Sequence, residues 1–263
     1  MKNLLLLIIG IFCINFISGQ NIYHYTGNFA DTETSIKFDF TDLSVINNSK
    51  IVIMLSNITD YDGNNYNTVK IGKQTWMAEN LKTIHYADGT PIVNGTEILV
   101  KHNPKVNYYF IYENTKSSIA TYGLLYTWCA AMNNQESCNN IQSGVQGVCP
   151  NGWHLPSLNE FEELIDYLGD TVQAGCKLKS SGIEYWKSPN YGANNLSGFT
   201  ALPAGGHYGE KSFIYQRIFA CFWASTEDLS DDAYRLVLNR KKNYAYIRTF
   251  AKRTGYSVRC VKN

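Results

Sequence analysis

Apolar side chains recur at helical spacing after Ser157, where the chain has its clearest pattern. Ser157 and Glu160 have the S-x-x-E spacing of a capping box, in which each side chain bonds the exposed backbone N–H of the other residue. Gly169 then supplies a left-handed stop. The buried stripe follows the i, i+3, i+4, i+7 rule and consists of Phe161, Leu164, Ile165 and Leu168. The sequence therefore predicts a helix between Ser157 and Gly169.

A second helix and several short strands complete the predicted domain. Residues 122–132 place Leu125, Trp128 and Met132 on one helical face. Residues 66–77 are interpreted as a hairpin that turns at Gly72-Lys73. The strands predicted beyond Gly169 are 198–202, 220–225, 233–238, 244–248 and 256–261. Two helices followed by strands and long loops are typical of an α+β domain.

The first residues have the layout of a secretory signal peptide. Lys2 is positively charged, residues 4–16 are almost uniformly apolar, and small residues occupy positions 18–19. We predict a signal peptide over residues 1–19, and hence an exported protein that is secreted or held at the cell surface. After cleavage no membrane span remains.

Two alternatives to cleavage are open. One is an N-terminal membrane anchor, although the apolar run is shorter than the roughly 20 residues that a spanning helix needs. The other is a lipid-modified Cys13, although the large Phe12 stands directly before it. Residues 20–59 are predicted to form a short β-rich segment, since residues 36–40 alternate between apolar and polar and residues 50–55 are an apolar run. The main domain is predicted over residues 60–263.

The cysteines agree with export. An even number lies beyond the predicted signal peptide, which indicates a disulfide set, although the connectivity cannot be deduced from the count. Buried free thiols are the alternative, and a zinc site is disfavoured because no Cys-x-x-Cys pair exists. The formal net charge of +1 gives no basic excess that would indicate nucleic acid. These cysteines are Cys129, Cys138, Cys149, Cys176, Cys221 and Cys260.

The motifs for catalysis or metal binding are missing or have simpler interpretations. Asp60, Asp62 and Asn64 mimic the start of an EF-hand loop, but the later positions do not fit, so a hairpin turn is favoured. His154 has the chemistry of an acid, a base or a metal ligand, but we interpret it as holding the entrance of the capped helix. The helix carboxylates Glu160, Glu162, Glu163 and Asp166 are interpreted as a solvated face and not as a glycosidase pair. We predict no enzyme activity, no metal and no cofactor.

From Asp60 onward the chain resembles the Fibrobacter succinogenes major paralogous domain, a family of exported bacterial proteins. The resemblance is carried by an ordered series of motifs across some 200 residues. They are Asp62-Gly63-Asn64, Val69-Lys70-Ile71-Gly72, the run from Trp76 to Lys82, Tyr122-Gly123 with Tyr126, the run from Cys149 to Pro156, Gly198-Phe199, the run from Pro203 to Gly206, the run from Phe222 to Thr226, and Ser257-Val258-Arg259-Cys260.

The resemblance implies a branch of the C-type-lectin-like fold, with two helices on a twisted antiparallel sheet and long loops above it. In that fold a cysteine near the second helix bonds one at the end of the last strand, which here implies Cys149–Cys260. Family members usually lack cysteine at positions 176 and 221, which implies Cys176–Cys221, and Cys129–Cys138 would then close a small loop. The calcium-ligand motifs of C-type lectins are absent, so binding is expected to be calcium-independent.

The long loop over residues 182–216 is the candidate ligand site. It carries aromatic rings among Asn and Gly residues, as stacking on a sugar face or contact with a protein requires, although packing of the rings onto the domain is an equal alternative for each. The candidate residues are Tyr185, Trp186, Tyr191, His207, Tyr208 and Tyr215.

The function expected from these observations is that of an exported, non-catalytic binding module for a glycan or a surface protein. A structural or adhesion component of the cell surface is the alternative. A third interpretation, an enzyme of the formylglycine-generating type, would need a reactive cysteine at Cys176 or Cys221.

Overall fold

The computed structural model describes the backbone of residues 14–18 and 21–25, and it describes residues 58–96, 107–208 and 212–263 in full. The chain divides into two compact units, Met1–Met54 and Leu55–Asn263. In the first unit, strands β1 (Ile14–Ser18) and β2 (Asn21–Tyr25) pair antiparallel. The strands predicted over 36–40 and 50–55 lie outside the described residues, so the signal peptide and the β-rich segment stay predictions.

The second unit is a mixed α+β domain with small sheets and few helices. Its helices are α1 (Lys116–Tyr122), α2 (Trp128–Met132), α3 (Leu158–Tyr167) and α4 (Thr171–Leu178), with a 3-10 turn at Tyr112–Asn114. Its shorter strands are β3 (Ile58–Thr59), β4 (Asn65–Tyr66), β5 (Thr68–Ile71), β6 (Gln74–Met77), β7 (Val93–Asn94), β8 (Tyr108–Phe110), β9 (Leu125–Tyr126), β10 (Trp153–His154), β11 (Gly206–Tyr208), β12 (Ser212–Ile214) and β16 (Val261–Lys262). The longer ones are β13 (Phe219–Leu229), β14 (Asp232–Asn239) and β15 (Ala245–Ala251).

Within its described residues, the second unit contains three sheets of three or four strands. The strand orders are β10-β16-β6-β5, β13-β14-β15 and β7-β8-β9, and β3-β4 and β11-β12 are separate hairpins. The predicted hairpin is confirmed, because β5 and β6 pair around Gly72, whose φ of 63° is easy only for glycine. The Asp60–Asn64 stretch forms the turn between β3 and β4, as predicted.

Helix α3 begins as the sequence predicts. The Ser157 hydroxyl accepts a hydrogen bond from the Glu160 backbone N–H at 3.2 Å, and the Glu160 carboxylate accepts one from the Ser157 N–H at 2.8 Å. His154 bonds the same carboxylate through Nε2 at 2.7 Å, and both side chains are buried. The predicted role of His154 at the helix entrance is confirmed.

Other predicted elements are wrong in type or extent. Of the helix predicted over 122–132, only residues 128–132 are helical apart from Tyr122, which ends α1, because Gly123 follows with a φ of 70° and Leu125 pairs with Phe110. Helix α4 was not predicted; Asp170 caps it by accepting a hydrogen bond from the Gln173 N–H. Of the stretch 198–202, only Ala201 makes a strand-like bridge.

One of the three predicted disulfides is confirmed. Cys149 and Cys260 are bonded, with their Cα atoms 5.9 Å apart. Cys176, Cys221 and Cys138 are thiols, so the predicted bonds Cys176–Cys221 and Cys129–Cys138 are corrected. Each of these cysteines has a different neighbour. The Cys221 sulfur accepts a hydrogen bond from Arg235, and the Cys176 thiol donates one to the carbonyl of Asn243. The backbone N–H of Cys138 bonds to a carbonyl of β13.

The core of the second unit contains large aromatic side chains that are completely buried, among them Trp76, Tyr126 and Trp223. The indole N–H of Trp223 donates to the Tyr126 carbonyl at 2.9 Å. None of the helices within the described ranges has the length and apolar character that crossing a membrane requires.

Candidate binding surface

Two of the six aromatic residues proposed for the ligand site face the interior. Trp186 is 0% exposed, and its indole N–H donates to the Ala201 carbonyl at 3.1 Å. His207 is also 0% exposed, and its ring stacks on Phe110 with a centroid distance of 3.8 Å. Burial lowers the pKa of His207 to about 4. The predicted exposure of these two side chains is therefore corrected.

Two further candidates lie on the long loop without forming one platform. Tyr191 is 57% exposed, and its carbonyl accepts a hydrogen bond from Lys179. Tyr185 is partly buried, and its ring meets the edge of Tyr122 at 6.4 Å. Arg217 fixes this part of the loop by donating to the carbonyls of Ile183, Glu184 and Tyr185.

The last two candidates are Tyr208 and Tyr215. The Tyr208 hydroxyl lies 3.1 Å from that of Tyr256, and its ring packs edge-on against Phe250 at 5.2 Å. Tyr215 is 52% exposed, has a φ of 64°, and contacts the ring of Phe219 at 5.3 Å. Since Phe219 and Phe250 belong to β13 and β15, both tyrosines border the β13-β14-β15 sheet.

One side of this sheet carries an unusual set of side chains, which we call the aromatic–cationic face. Side chains alternate between the two sides of a strand, so residues two apart on β15 share a side. In the β14–β15 register, Arg248 lies directly opposite Arg235. The face consists of Tyr208, Arg235, Tyr246, Arg248 and Phe250.

Cations and rings are interleaved on this face. The Arg235 guanidinium lies between two rings, 4.8 Å from the centroid of Phe250 and 4.5 Å from that of Tyr256. The Arg248 guanidinium lies over Tyr246 at 5.7 Å. Such contacts are attractive because the ring face is negative, and they hold the cations in place.

Arg235 is partly buried, and no acidic side chain in the described ranges pairs with it. Its Nη1 donates to the Cys221 sulfur at 2.8 Å, whereas its Nε is buried without a hydrogen bond. Among the described residues the ion pairs are Lys82–Glu79, His85–Asp62, His154–Glu160 and Lys252–Glu227, and none includes Arg235. Burial acts to lower the pKa of Arg235, but Cys221 and the nearby tyrosines together raise it. The guanidinium therefore stays charged although none of the described carboxylates pairs with it.

Cys221 does not have the environment of a reactive thiol. Its side chain is 3% exposed, and burial raises the pKa of the thiol, which the charge of Arg235 offsets only in part. Reactive cysteines need a lowered pKa and access for the substrate. Neither condition is met at Cys221.

A second concave site lies between the β5–β6 turn and α3. This cleft of about 540 Å³ is bordered by Lys73 on the turn and by Tyr167 on the helix. Three of the predicted solvated carboxylates line it, namely Glu162, Glu163 and Asp166. Within the described ranges, no three His, Cys, Asp or Glu side chains come close enough together to hold a metal ion.

The sequence contained a signal for the residues that were missed. The strand predicted over 244–248 contains Tyr246 and Arg248 two positions apart, and the observed β15 extends this alternation to Phe250. What the sequence could not supply is the register that brings Arg235 opposite Arg248. A strand with interleaved aromatic and basic residues has the same recognition chemistry as an aromatic loop.

Comparison with known proteins identifies one match. The family model of the Fibrobacter succinogenes major domain matches residues 69–262. No curated protein and no solved structure matches the chain. The matched range contains all of the aromatic–cationic face.

Proposed function

The chain belongs to the Fibrobacter succinogenes major domain family, and from that premise we propose that it is an exported, non-catalytic module that binds a glycan without calcium. The family match supplies no reaction, so the proposal depends on the site.

The observation that carries the proposal is the arrangement of Tyr208 and Tyr246 beside two arginines on one side of a sheet. Both tyrosines are partly buried, which fixes their rings while leaving part of each accessible. An aromatic ring packs against the apolar face of a sugar, and a guanidinium donates hydrogen bonds to sugar oxygens. A rigid strand also holds these groups with little loss of conformational entropy on binding.

Export and a C-type-lectin-like fold are part of the proposal. The Cys149–Cys260 disulfide supports an oxidising compartment, in agreement with the predicted signal peptide. The same bond joins the stretch before α3 to the last strand region, the connection that the lectin-like fold implies. Binding without calcium is supported by the lack of the calcium-ligand motifs in the sequence.

Glycan array binding of the full chain tests the proposal. We expect retention on a defined set of sugars, with Tyr246→Ala weakening binding at least about tenfold, or about 1.4 kcal/mol. Tyr61→Ala is the matched control, because Tyr61 is an exposed tyrosine in the turn between β3 and β4 and belongs neither to the face nor to the cleft. Tyr191→Ala tests the long loop as the alternative location.

The outcomes separate the competing functions. Loss of binding with Tyr191→Ala alone would move the site to the loop. If no glycan is retained while the folded chain binds a surface protein, the sugar proposal is wrong and the adhesion alternative takes its place.

A further inference from the structure

Arg235 and Arg248 are cross-strand partners of the same charge. Residues directly opposite in an antiparallel pair have their Cβ atoms about 5 Å apart, and like charges there destabilise the sheet. Each guanidinium is held near an aromatic ring, which reduces this repulsion without neutralising the charge. The pair therefore forms a local positive centre.

Among the described residues, no acidic side chain forms an ion pair with either arginine. The hydrogen bond of Arg248 goes to the carbonyl of its own neighbour, Ile247, at 3.3 Å. Asp232 is the acidic residue of β14, but its spacing from Arg235 places it on the opposite side of the sheet. In the turn between β14 and β15, Lys242 lies over the ring of Tyr244 at 5.6 Å.

From this arrangement we propose that the aromatic–cationic face recognises an acidic sugar, whose carboxylate or sulfate group lies between Arg235 and Arg248. The inference rests on the proposed glycan binding and specifies the ligand's chemical class. A guanidinium donates two parallel hydrogen bonds to a carboxylate or sulfate, a geometry that lysine does not reproduce.

The aromatic residues favour a sugar over a free inorganic anion. An anion alone needs only the two guanidinium groups, whereas Tyr246 and Tyr208 present ring surface on either side of them. Arg235 is also fixed before binding, by Cys221 and by the rings of Phe250 and Tyr256.

The test is calorimetric titration of the full chain with three hexasaccharides of equal length: oligogalacturonate, a sulfated oligosaccharide and neutral maltohexaose. We expect one or both acidic probes to bind at least about tenfold more tightly than the neutral probe, and the two acidic arms identify whether carboxylate or sulfate is preferred. Raising the salt concentration should weaken acidic-probe binding, because the charges at this site are partly exposed.

Arg248→Gln is the main variant, since Arg248 is exposed and its replacement should leave the fold intact. We expect about tenfold weaker binding of the acidic probe and unchanged binding of any neutral sugar, with partial recovery in Arg248→Lys. Lys70→Gln, which removes an exposed cation from β5, is the matched control and should have no effect. Circular dichroism checks that each variant is folded.

The remaining outcomes distinguish failure of the acidic-sugar inference from failure of the proposed glycan binding. Equal binding of neutral and acidic sugars would overturn the acidic-sugar inference and leave the glycan-binding proposal standing. Equal binding of polyglutamate would show that charge alone is recognised and would also overturn it. If no hexasaccharide binds and the glycan array is also empty, the proposed function itself fails.

Discussion

The Arg259 guanidinium donates two hydrogen bonds to the side-chain oxygen of Asn80, from Nε at 3.0 Å and from Nη2 at 2.8 Å. Both residues are buried, Arg259 completely. The same guanidinium donates to the carbonyls of Met77, Phe199 and Thr200. These contacts bring together three of the sequence motifs that mark the family, so the motifs have a shared structural role.

Replacing Arg259 should strongly destabilise the second unit. In Arg259→Met the Asn80 oxygen and three backbone carbonyls lose their donors inside the core, and breaking a buried network of this kind costs on the order of 3–5 kcal/mol. Urea unfolding followed by fluorescence measures the loss. Lys187→Met, at an exposed position, is the control and should change the free energy of unfolding by less than about 0.5 kcal/mol. A similar small change for Arg259→Met would contradict the assigned role.

The buried His154–Glu160 pair predicts that stability falls as pH rises above neutrality. Burial acts to lower the pKa of His154, but the hydrogen bond and the charge of Glu160 raise it above its ordinary value of 6.5. A raised pKa in the folded state means that the contribution is complete below pH 6.5 and is lost as pH rises through the folded-state pKa. The difference in unfolding free energy between the unchanged chain and His154→Gln, measured between pH 6 and 8, checks this, because the buried His207 adds the same opposing slope to both proteins. A difference that does not change over this range would contradict the role of His154.

These two sites illustrate which parts of the fold the sequence predicts. Ser157, Glu160 and His154 lie within six residues of each other, so their contacts depend on local spacing that can be counted along the chain. The Arg259–Asn80 contact joins residues that are 179 positions apart, and no local pattern specifies it.

The candidate site has the same limitation. In a Gly- and Asn-rich loop, the sequence pattern around an aromatic residue is the same whether the ring is exposed or buried. Trp186 is buried because Ala201 and Lys179 pack around it. The aromatic–cationic face depends on the register between β14 and β15, which the alternation within each strand leaves open. The sequence therefore predicts which side chains are suited to binding, but it does not predict which of them are exposed or lie side by side.

The buried Lys179 predicts the opposite pH dependence at alkaline pH. Its ammonium donates to the carbonyls of Tyr191, Asn239 and Lys242, and burial lowers its pKa from 10.5 to about 8. Between these two values the unfolded chain binds more protons than the folded chain, so stability rises with pH. Relative to Lys179→Met, we expect the free energy of unfolding to increase by about 1 to 2 kcal/mol between pH 8 and 9.5.

Comparison with Lys179→Met isolates this contribution, because the variant should lack the rise over the same pH range. Cysteine and tyrosine side chains of the unfolded chain also begin to ionise in this range, and because they do so in both proteins their opposing effect cancels in the comparison. An equal pH dependence in both proteins would show that Lys179 makes no such contribution.

The disulfide pattern affects both the stability of the second unit and the alternative function as an enzyme with a reactive cysteine. Cys149 and Cys260 are separated by 111 positions, and in the chain-entropy model closing so long a loop contributes on the order of 4–5 kcal/mol. Reduction, or the double replacement of both cysteines by alanine, should lower the free energy of unfolding by about that amount. In non-reducing peptide mapping the peptides of Cys149 and Cys260 should be linked, while Cys176 and Cys221 are alkylated only as thiols. In the native protein Cys221 should react slowly because it is buried, so rapid alkylation there would instead support an enzyme with a cysteine in its site.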